Sequence, residues 1–141
     1  MPTLLRDQET LYFQNAAGSV FYHAAGYARL AWSAERVTPL ETQTLYEHTL
    51  TLLRSAGAGK VLSEHAQRQP LPPSTQEWLS HDWVPRAVQQ ARFRYCAIID
   101  GQNPLHRLSA QSIIADTSLG VLFKRFSSAE EAASWLLSLP A

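Results

Sequence analysis

The chain is poor in cysteine: Cys96 is the only one in 141 residues. One thiol cannot form an internal disulfide bond or supply a thiolate cluster for zinc, so we expect a reducing, cytoplasmic environment. Long apolar runs are also missing, since no stretch approaches the ~18–20 apolar residues that a membrane-spanning helix needs. Residues 1–8 carry charges without the apolar core of a signal peptide. The sequence therefore predicts a cytoplasmic protein without a membrane span.

Charge of one sign is not in excess, because twelve Lys and Arg residues balance twelve Asp and Glu residues. No basic block interrupts this balance, so no net field attracts nucleic acid or anionic lipid. The four tryptophans could stack on nucleic-acid bases only if a basic surface displayed them. We therefore expect no nucleic-acid partner.

Catalytic and cofactor-binding motifs are missing as well. There is no Gly-x-Ser-x-Gly nucleophile elbow and no His-Glu-x-x-His pair, and the five histidines are scattered. The Gly-Ala-Gly-Lys stretch at 57–60 precedes a strand instead of opening a helix, which is the wrong order for a phosphate-binding loop. Cys96 lies within an apolar strand, where a thiol is normally inert. These absences predict no catalytic residue, no metal and no cofactor, and they disfavour an enzyme.

The sequence does contain three helix-start signals, each a hydroxyl residue three positions before a glutamate. They are Thr38–Glu41, Ser74–Glu77 and Ser127–Glu130. In such a capping box the hydroxyl accepts a hydrogen bond from the third helical N–H, and the glutamate reaches back to the capping residue. Pro39 adds a residue suited to the first helical position. Because a strand-like or extended stretch precedes each box, the pattern is typical of an alternating α/β chain.

Apolar periodicity supplies the remaining elements. The opening strands read as an antiparallel meander, and the apolar run at 95–99 predicts a central strand that is covered on both faces. The predicted strands are Leu11–Gln14, Val20–His23, Tyr27–Trp32, Lys60–His65, Arg94–Asp100 and Val121–Phe126, and the predicted helices start at Thr38, Ser74, Leu105 (to Asp116) and Ser127 (to Leu139). We predict one α/β domain over residues 1–141, with a mixed sheet of about five or six strands and helices packed on it.

Pro85 falls inside the second predicted helix. Proline has no N–H and its ring collides with the carbonyl four residues earlier, so we expect a kink or a break near Ser80–Trp83. Asp82 is then placed to cap the second half of the helix. Trp78 and Trp83 diverge on an unbroken helix, so we expect one to fill the core and the other to mark a contact surface.

The chain resembles a bacterial group, the STAS/SEC14-like or SpoIIAA-like domains. The resemblance is carried by Gln76–Leu79, by Asp82–Ala87 and by the strand Tyr95–Ile99. The closing strand and the helix start Phe126–Ala132 are similar to that group too. The resemblance covers about Leu11 to Leu139 and implies a STAS-like fold. It implies no particular activity, because a shared fold does not carry a shared function.

The better-known STAS relatives antagonise anti-sigma factors and are switched by phosphorylation of a serine in an Asp-Ser-Ser-Gly-type loop at a helix start. The corresponding stretch here, Ser63–Arg68, has no such tetrad and leads into the proline-containing loop Ala66–Pro73. Ser74 stands at the predicted helix start, where capping is the simpler explanation. The phosphorylation switch is therefore not expected in this chain.

Two sets of polar residues are candidate binding sites. His81 and Asp82 beside Arg86 suggest an oriented imidazole with an anion-holding guanidinium, or else Asp82 caps a helix and Arg86 pairs with it. Glu64 and His65 close a parallel strand at the sheet edge where α/β proteins place ligands, or else they are solvated loop residues.

Three functions stay open on this evidence. The leading one is a non-catalytic module that binds a protein partner, or a second copy of itself as a homodimer, through the kinked second helix and the loop before it. The alternative is a small-molecule or lipid carrier whose cleft lies under the Ala66–Pro73 loop and is lined by Glu64, His65, Trp83 and Arg86. The third is a hydrolase that uses His81 or His65.

Overall fold

The structure, a computed structural model, describes residues 8–57, 59–65, 68–100, 104–105, 107–108, 111 and 120–140. Strands and helices alternate along most of this length. The elements are β1 (Glu9–Asn15), β2 (Gly18–His23), β3 (Tyr27–Trp32), α1 (Pro39–Ala56), β4 (Lys60–Glu64), α2 (Pro73–Trp78), a π-helical turn (Leu79–Trp83), α3 (Val84–Ala91), β5 (Tyr95–Ile99), β6 (Leu122–Phe126) and α4 (Ala129–Leu137). The predicted helix Leu105–Asp116 lies largely outside the described residues.

The six strands form one mixed sheet in the order β1-β2-β3-β4-β5-β6. β1, β2 and β3 pair antiparallel as a meander, and β3 to β6 pair parallel. A parallel pair needs a crossover connection, and α1 and the segment from α2 to α3 provide those that follow β3 and β4. The predicted α/β architecture, a mixed sheet with helices packed on it, is confirmed.

Side chains alternate across each strand, and this divides the core between the two faces of the sheet. On the first face, Leu30 and Cys96 pack in one buried cluster with side chains of α1 and of the α2–α3 segment. On the second face, Leu62 and Ala97 pack with Leu136 of α4. β5 is therefore covered on both faces, as its apolar run predicts.

α1 begins where its capping box predicts. Thr38 Oγ1 accepts from the N–H of Glu41 at 3.2 Å, and the Glu41 carboxylate accepts from the N–H of Thr38 at 2.9 Å. Pro39 occupies the first turn. Gly57 ends the helix with a φ of 69°, a left-handed conformation in which any side chain is strained. The first capping box is confirmed, and Gly57 ends the helix that it starts.

The other two predicted capping boxes are wrong: the one at Ser74 is absent, and the one at Ser127 is shifted by one residue. α2 begins at Pro73 after a second proline and has no side-chain cap, so Ser74 lies inside the first turn. The two prolines preset the backbone there, and the helix starts without a hydroxyl. α4 is capped by Ser128, whose Oγ accepts from the N–H of Glu131 at 3.1 Å, and Ser127 stands one residue too early. Adjacent serines followed by adjacent glutamates offer two boxes that the sequence alone does not separate.

The α2–α3 segment passes through Pro85 without a break. Leu79–Trp83 is π-helical, and the N–H of Val84 donates to the carbonyl five residues earlier. The sequence predicted an irregularity in this stretch, and the π turn is its form, but no non-helical residue interrupts the chain. The π turn shifts the hydrogen-bond register just before the residue that has no N–H. α3 has no side-chain cap, so the predicted capping role of Asp82 is wrong.

Candidate functional site

Arg68 is a buried cation near the carboxyl end of the parallel strands. The N–H of Arg68 donates to the carbonyl of His65, the residue after β4, at 2.7 Å. The guanidinium carbon then lies 3.5 Å from the ring centre of Trp32 and 5.9 Å from that of Tyr46. Arg68 is only 6 % exposed. The faces of the two aromatic rings attract the cation and hold it in place.

Among the described residues, Arg68 is the one at least partly buried arginine without a carboxylate partner. Arg29, Arg86 and Arg125 each pair with at least one carboxylate. No described carboxylate forms an ion pair with Arg68, and its Nη2 atom has no hydrogen-bond partner. Burial lowers the pKa of Arg68 from its usual value, against an opposing effect of Tyr46. Because arginine stays protonated in proteins, the site still holds a positive charge that no described carboxylate balances.

A small inner cavity lies next to Arg68, between the first face of the sheet and the helices. Its volume is about 60 Å³, and its walls are mostly apolar, with Ser63, His65 and Arg68 among the polar exceptions. That volume suffices for a few water molecules and is well below the ~150 Å³ of a cavity that takes up benzene. The inner cavity is therefore too small for a lipid chain.

A larger outer cleft adjoins the inner cavity and shares Arg68 and Leu71 with it. Its volume is about 290 Å³, near the lower end of the ~300–1,000 Å³ range of ligand pockets. The residues from the end of β3 to the start of α1, 32–39, contribute one side of its lining, and the segment 68–72 contributes another. The cleft thus lies at the carboxyl end of the parallel strands, where open α/β sheets bind ligands.

Thr75 gives the outer cleft a second unpaired polar atom. Its side chain lines the cleft and is 1 % exposed, and Oγ1 has no hydrogen-bond partner. Buried polar groups in folded proteins almost always have a partner, so each exception needs an explanation. Arg68 Nη2 and Thr75 Oγ1 are two such exceptions in the lining of one cleft. A ligand that accepts hydrogen bonds there accounts for both.

The structure separates the four residues that the sequence prediction placed around one cleft. His65 and Trp83 line the inner cavity. Glu64 lies on the second face, where its carboxylate pairs with the guanidinium of Arg29. Successive residues at a strand end point to opposite faces, so Glu64 and His65 do not line one pocket. Arg86 lines neither the cavity nor the cleft.

His81, Asp82 and Arg86 lie together on the outside of the helical layer. Arg86 Nη1 donates to Glu47 Oε1 at 3.0 Å, and Arg86 Nη2 donates to Asp82 Oδ2 at 3.1 Å. The hydrogen bonds to Glu47 and then to Asp82 raise the pKa of Arg86 above its usual value. Of the structural interpretation, the pairing of Arg86 with Asp82 is confirmed, and the capping role of Asp82 is wrong. Its guanidinium joins α3 to α1.

Sequence reasoning did not single out Arg68, Trp32 or Thr75 as site residues. Arg68 stands in a stretch without periodicity, and nothing in the sequence shows that the chain folds it onto an indole. A usable signal was the group of three prolines that follows it, because prolines at 70, 72 and 73 keep the segment extended. An arginine that begins such a rigid segment beside a strand end is a candidate for a ligand contact.

Other reactive groups do not extend the site. Burial raises the pKa of the Cys96 thiol to about 12, so this side chain is not a nucleophile at neutral pH. Within the described ranges, no cluster of three or more His, Cys, Asp or Glu side chains is arranged to hold a metal ion. None of the described helices is long and apolar enough to span a bilayer.

The chain matches no protein-family model, no curated protein and no solved structure. The resemblance to STAS/SpoIIAA-like domains therefore stays a prediction. The site is interpreted from its own geometry.

Proposed function

We propose that this protein binds a small anionic molecule in the outer cleft and acts through binding rather than through catalysis. The observation that carries the proposal is the Arg68 guanidinium, which is 6 % exposed and has no carboxylate partner among the described residues. The unpaired hydroxyl of Thr75 in the same lining supports it. This develops the small-molecule alternative of the sequence analysis and moves its site from Glu64 and Arg86 to Arg68.

The physical argument rests on the cost of burying a charge. A protein interior solvates an ion far less well than water does, so a buried cation without a counter-charge destabilises the fold. Stacking on Trp32 offsets part of that cost, by about 2 kcal/mol when both groups are desolvated. The stacking does not use the N–H donors, which lie in the guanidinium plane. A bound anion supplies both the counter-charge and the missing acceptor.

The histidines do not favour the hydrolase alternative. His81 is exposed on the π turn, and the neighbouring carboxylate of Asp82 accepts a hydrogen bond from Arg86. His65 is buried and lines the inner cavity, whose thiol, Cys96, is protonated at neutral pH.

Partner binding through the second helix stays a prediction, without an observation that favours it over the cleft. Trp83 is 2 % exposed, and the half-buried Trp78 packs with its ring centre 6.1 Å from that of Tyr46. Within the described part of the chain, none of the large exposed apolar side chains belongs to the α2–α3 segment. A homodimer, a cytoplasmic location and membership of the STAS-like group also stay predictions.

Nuclear magnetic resonance of the isotope-labelled protein tests the proposal. Trp32 is a built-in reporter, because its indole N–H donates to Ser63 Oγ at 3.0 Å while its ring contacts Arg68. Acetate, benzoate, phosphate and sulfate are titrated one at a time at constant ionic strength. We expect at least one anion to shift the Trp32 indole resonance with saturation and to leave Trp135, on the second face, unchanged. If none of the four shifts Trp32 at millimolar concentration, the proposal is wrong.

A further inference from the structure

We infer that the ligand is a monocarboxylate with a flat apolar body, held at its carboxylate by the edge of Arg68 and the hydroxyl of Thr75. The inference rests on the proposed function and narrows it to one chemical class. Three features of the outer cleft carry it: its charge, its unpaired polar atoms and the shape of its walls.

The charge of the cleft matches a single negative charge. Its charged lining residues are Glu35, Arg36 and Arg68, which together carry one net positive charge. Arg36 and Glu35 are exposed, so solvent screens both, and Arg68 is the only buried charge of the three. A dianion such as a phosphate monoester would bring more negative charge than the buried guanidinium balances. A monoanion is neutralised by Arg68 alone.

The unpaired atoms match the two oxygens of a carboxylate. The guanidinium carbon of Arg68 lies over the ring of Trp32, and the N–H groups lie in the guanidinium plane, where Nη2 has no partner. A carboxylate accepts from such N–H groups in the same plane and has a second oxygen for another donor. Thr75 Oγ1 is that donor, since its hydroxyl has no partner in the described structure. A neutral carbonyl would accept hydrogen bonds but leave the charge of Arg68 without compensation.

The walls of the cleft match a flat apolar body. Trp32, Val37, Pro70, Leu71 and Pro72 all line it. Indole and pyrrolidine rings are rigid, so they lose little conformational freedom when a planar group packs on them. The volume of about 290 Å³ exceeds the ~150 Å³ of a cavity that takes up benzene, so the cleft accommodates a one-ring carboxylate. An aromatic or cyclic carboxylate fits these walls better than an inorganic anion, which leaves the apolar surface in water.

Isothermal titration calorimetry with three matched probes tests the inference. Benzoate carries one charge on a flat ring, benzyl alcohol is a neutral probe of similar size, and phenyl phosphate carries up to two charges. We expect benzoate to bind most tightly to the wild-type protein. Arg68→Gln should weaken benzoate binding at least about tenfold, as expected for loss of a charged hydrogen bond. Binding of benzyl alcohol should change little in the same variant.

Two further variants separate the site from general effects. Thr75→Val keeps the shape of the side chain and removes the hydroxyl, and we expect benzoate binding to weaken about two- to tenfold. Arg86→Gln removes a positive charge that lies outside the cleft, so benzoate binding should stay within about twofold, because an exposed distant charge is screened. Circular dichroism of each variant confirms that it is folded, and Thr75→Val keeps the test informative if Arg68→Gln does not fold.

The outcomes distinguish the inference from the proposed function. If phenyl phosphate binds more tightly than benzoate and Arg68→Gln weakens both, the cleft binds anions but the carboxylate class is wrong. If benzyl alcohol binds as tightly as benzoate, the charge of Arg68 does not select the ligand, and the inference is wrong as well. If no probe and no small anion binds, the proposed function fails together with the inference.

Discussion

Arg68 contacts two aromatic rings and has no described carboxylate partner. The other partly buried arginines that the structure describes each pair with a carboxylate. Arg86 shows the contrast, since its guanidinium is bound by Glu47 and Asp82 and remains partly exposed. The two side chains are chemically identical, so their surroundings decide their roles. Arg86 joins two helices, and Arg68 is available for a ligand.

The first prediction concerns the stability of the unliganded protein at this residue. Arg68→Met removes a buried charge that has no counter-charge and replaces it with an apolar side chain of similar length. We expect the free energy of unfolding to rise by about 1–3 kcal/mol, because an unpaired buried donor costs that much. Urea denaturation measures the change, with Arg86→Met as the control on a partly exposed pair, where about 0–1 kcal/mol is lost. A loss of stability in Arg68→Met would show that the guanidinium has a structural partner.

The second prediction is an alkaline loss of stability through Cys96. Burial raises the pKa of this thiol from 9.0 to about 12. Between these values the unfolded state binds fewer protons than the folded state, so stability falls as the pH rises, by at most about 1.4 kcal/mol per pH unit. Cys96→Ala should remove this slope just above pH 9.0, where the thiol of the unfolded chain deprotonates.

Deprotonation of Tyr27 also lowers the free energy of unfolding as the pH rises, but it begins at a higher pH than that of Cys96. This sets the upper pH limit of the Cys96 test. Burial, together with the charge of Glu9, raises the pKa of the Tyr27 hydroxyl from 10.0 to about 12. The comparison of Cys96→Ala with the wild-type protein is therefore made by denaturation between pH 8 and pH 10. Equal slopes for the two proteins in that window would contradict the assignment of the alkaline loss to Cys96.

Among the elements, capping decides where a helix starts only where no stronger local constraint acts. Thr38 caps α1 with both hydrogen bonds of the box, while Pro73 starts α2 without a cap.

The third prediction follows from this difference. Thr38→Ala should lower the free energy of unfolding by about 1 kcal/mol, and Ser74→Ala should change it by less than about 0.5 kcal/mol. Thermal and urea unfolding of the two variants give the comparison. Equal losses would mean that Ser74 also caps a helix.

The fourth prediction concerns the edge strand β1, which an ion pair ties to strands further into the sheet. Arg29 on β3 donates through Nε and Nη2 to the Glu9 carboxylate at 2.5 and 2.9 Å and also pairs with Glu64 on β4. The side chains of Arg29 and Glu9 are both 5 % exposed. Arg29→Met should lower the free energy of unfolding by about 3–5 kcal/mol, because it leaves a buried carboxylate unpaired.

Hydrogen exchange tests whether that loss acts through β1. Amides of β1 should exchange faster in Arg29→Met, relative to amides of β5, than they do in the wild-type protein. Arg86→Met again serves as the control and should leave the exchange of β1 unchanged. If Arg29→Met keeps its stability within about 1 kcal/mol, the pair contributes no more than a surface salt bridge.

The elements were predictable from the sequence because their signals are local. Alternation, the apolar run of β5 and the first capping box each depend on residues within a few positions of one another. The irregularity before Pro85 was predictable in position, since the missing N–H acts on the preceding turn. Its π form was not, because the missing N–H of a proline does not specify which hydrogen-bond register the preceding turn adopts. The two misplaced caps have local causes, because prolines start α2 without a hydroxyl and the two adjacent serines before α4 each stand three residues before a glutamate.

In the whole molecule, the two faces of one sheet separate two kinds of polar group. The ion pairs of Arg29 lie on the second face with α4, and the Arg68 cleft lies at the end of the first face with α1 and α2. Glu64 and His65 were predicted to line one pocket because they are adjacent in sequence, but their side chains lie on opposite faces of the sheet. The architecture was predictable from local patterns. The site was not, since it combines β3, the start of α1 and the segment after β4, which are far apart in the sequence.

The central claim is that a small carboxylate binds at Arg68, and a crystal structure with 4-bromobenzoate tests it most directly. The anomalous signal of bromine locates the ligand without reference to its shape. We predict one bromine peak in the outer cleft beside Trp32, with the carboxylate at the guanidinium edge of Arg68 and within hydrogen-bond distance of Thr75 Oγ1. A fully soaked crystal with no bromine in that cleft, or with bromine only at other places on the molecule, would contradict the claim.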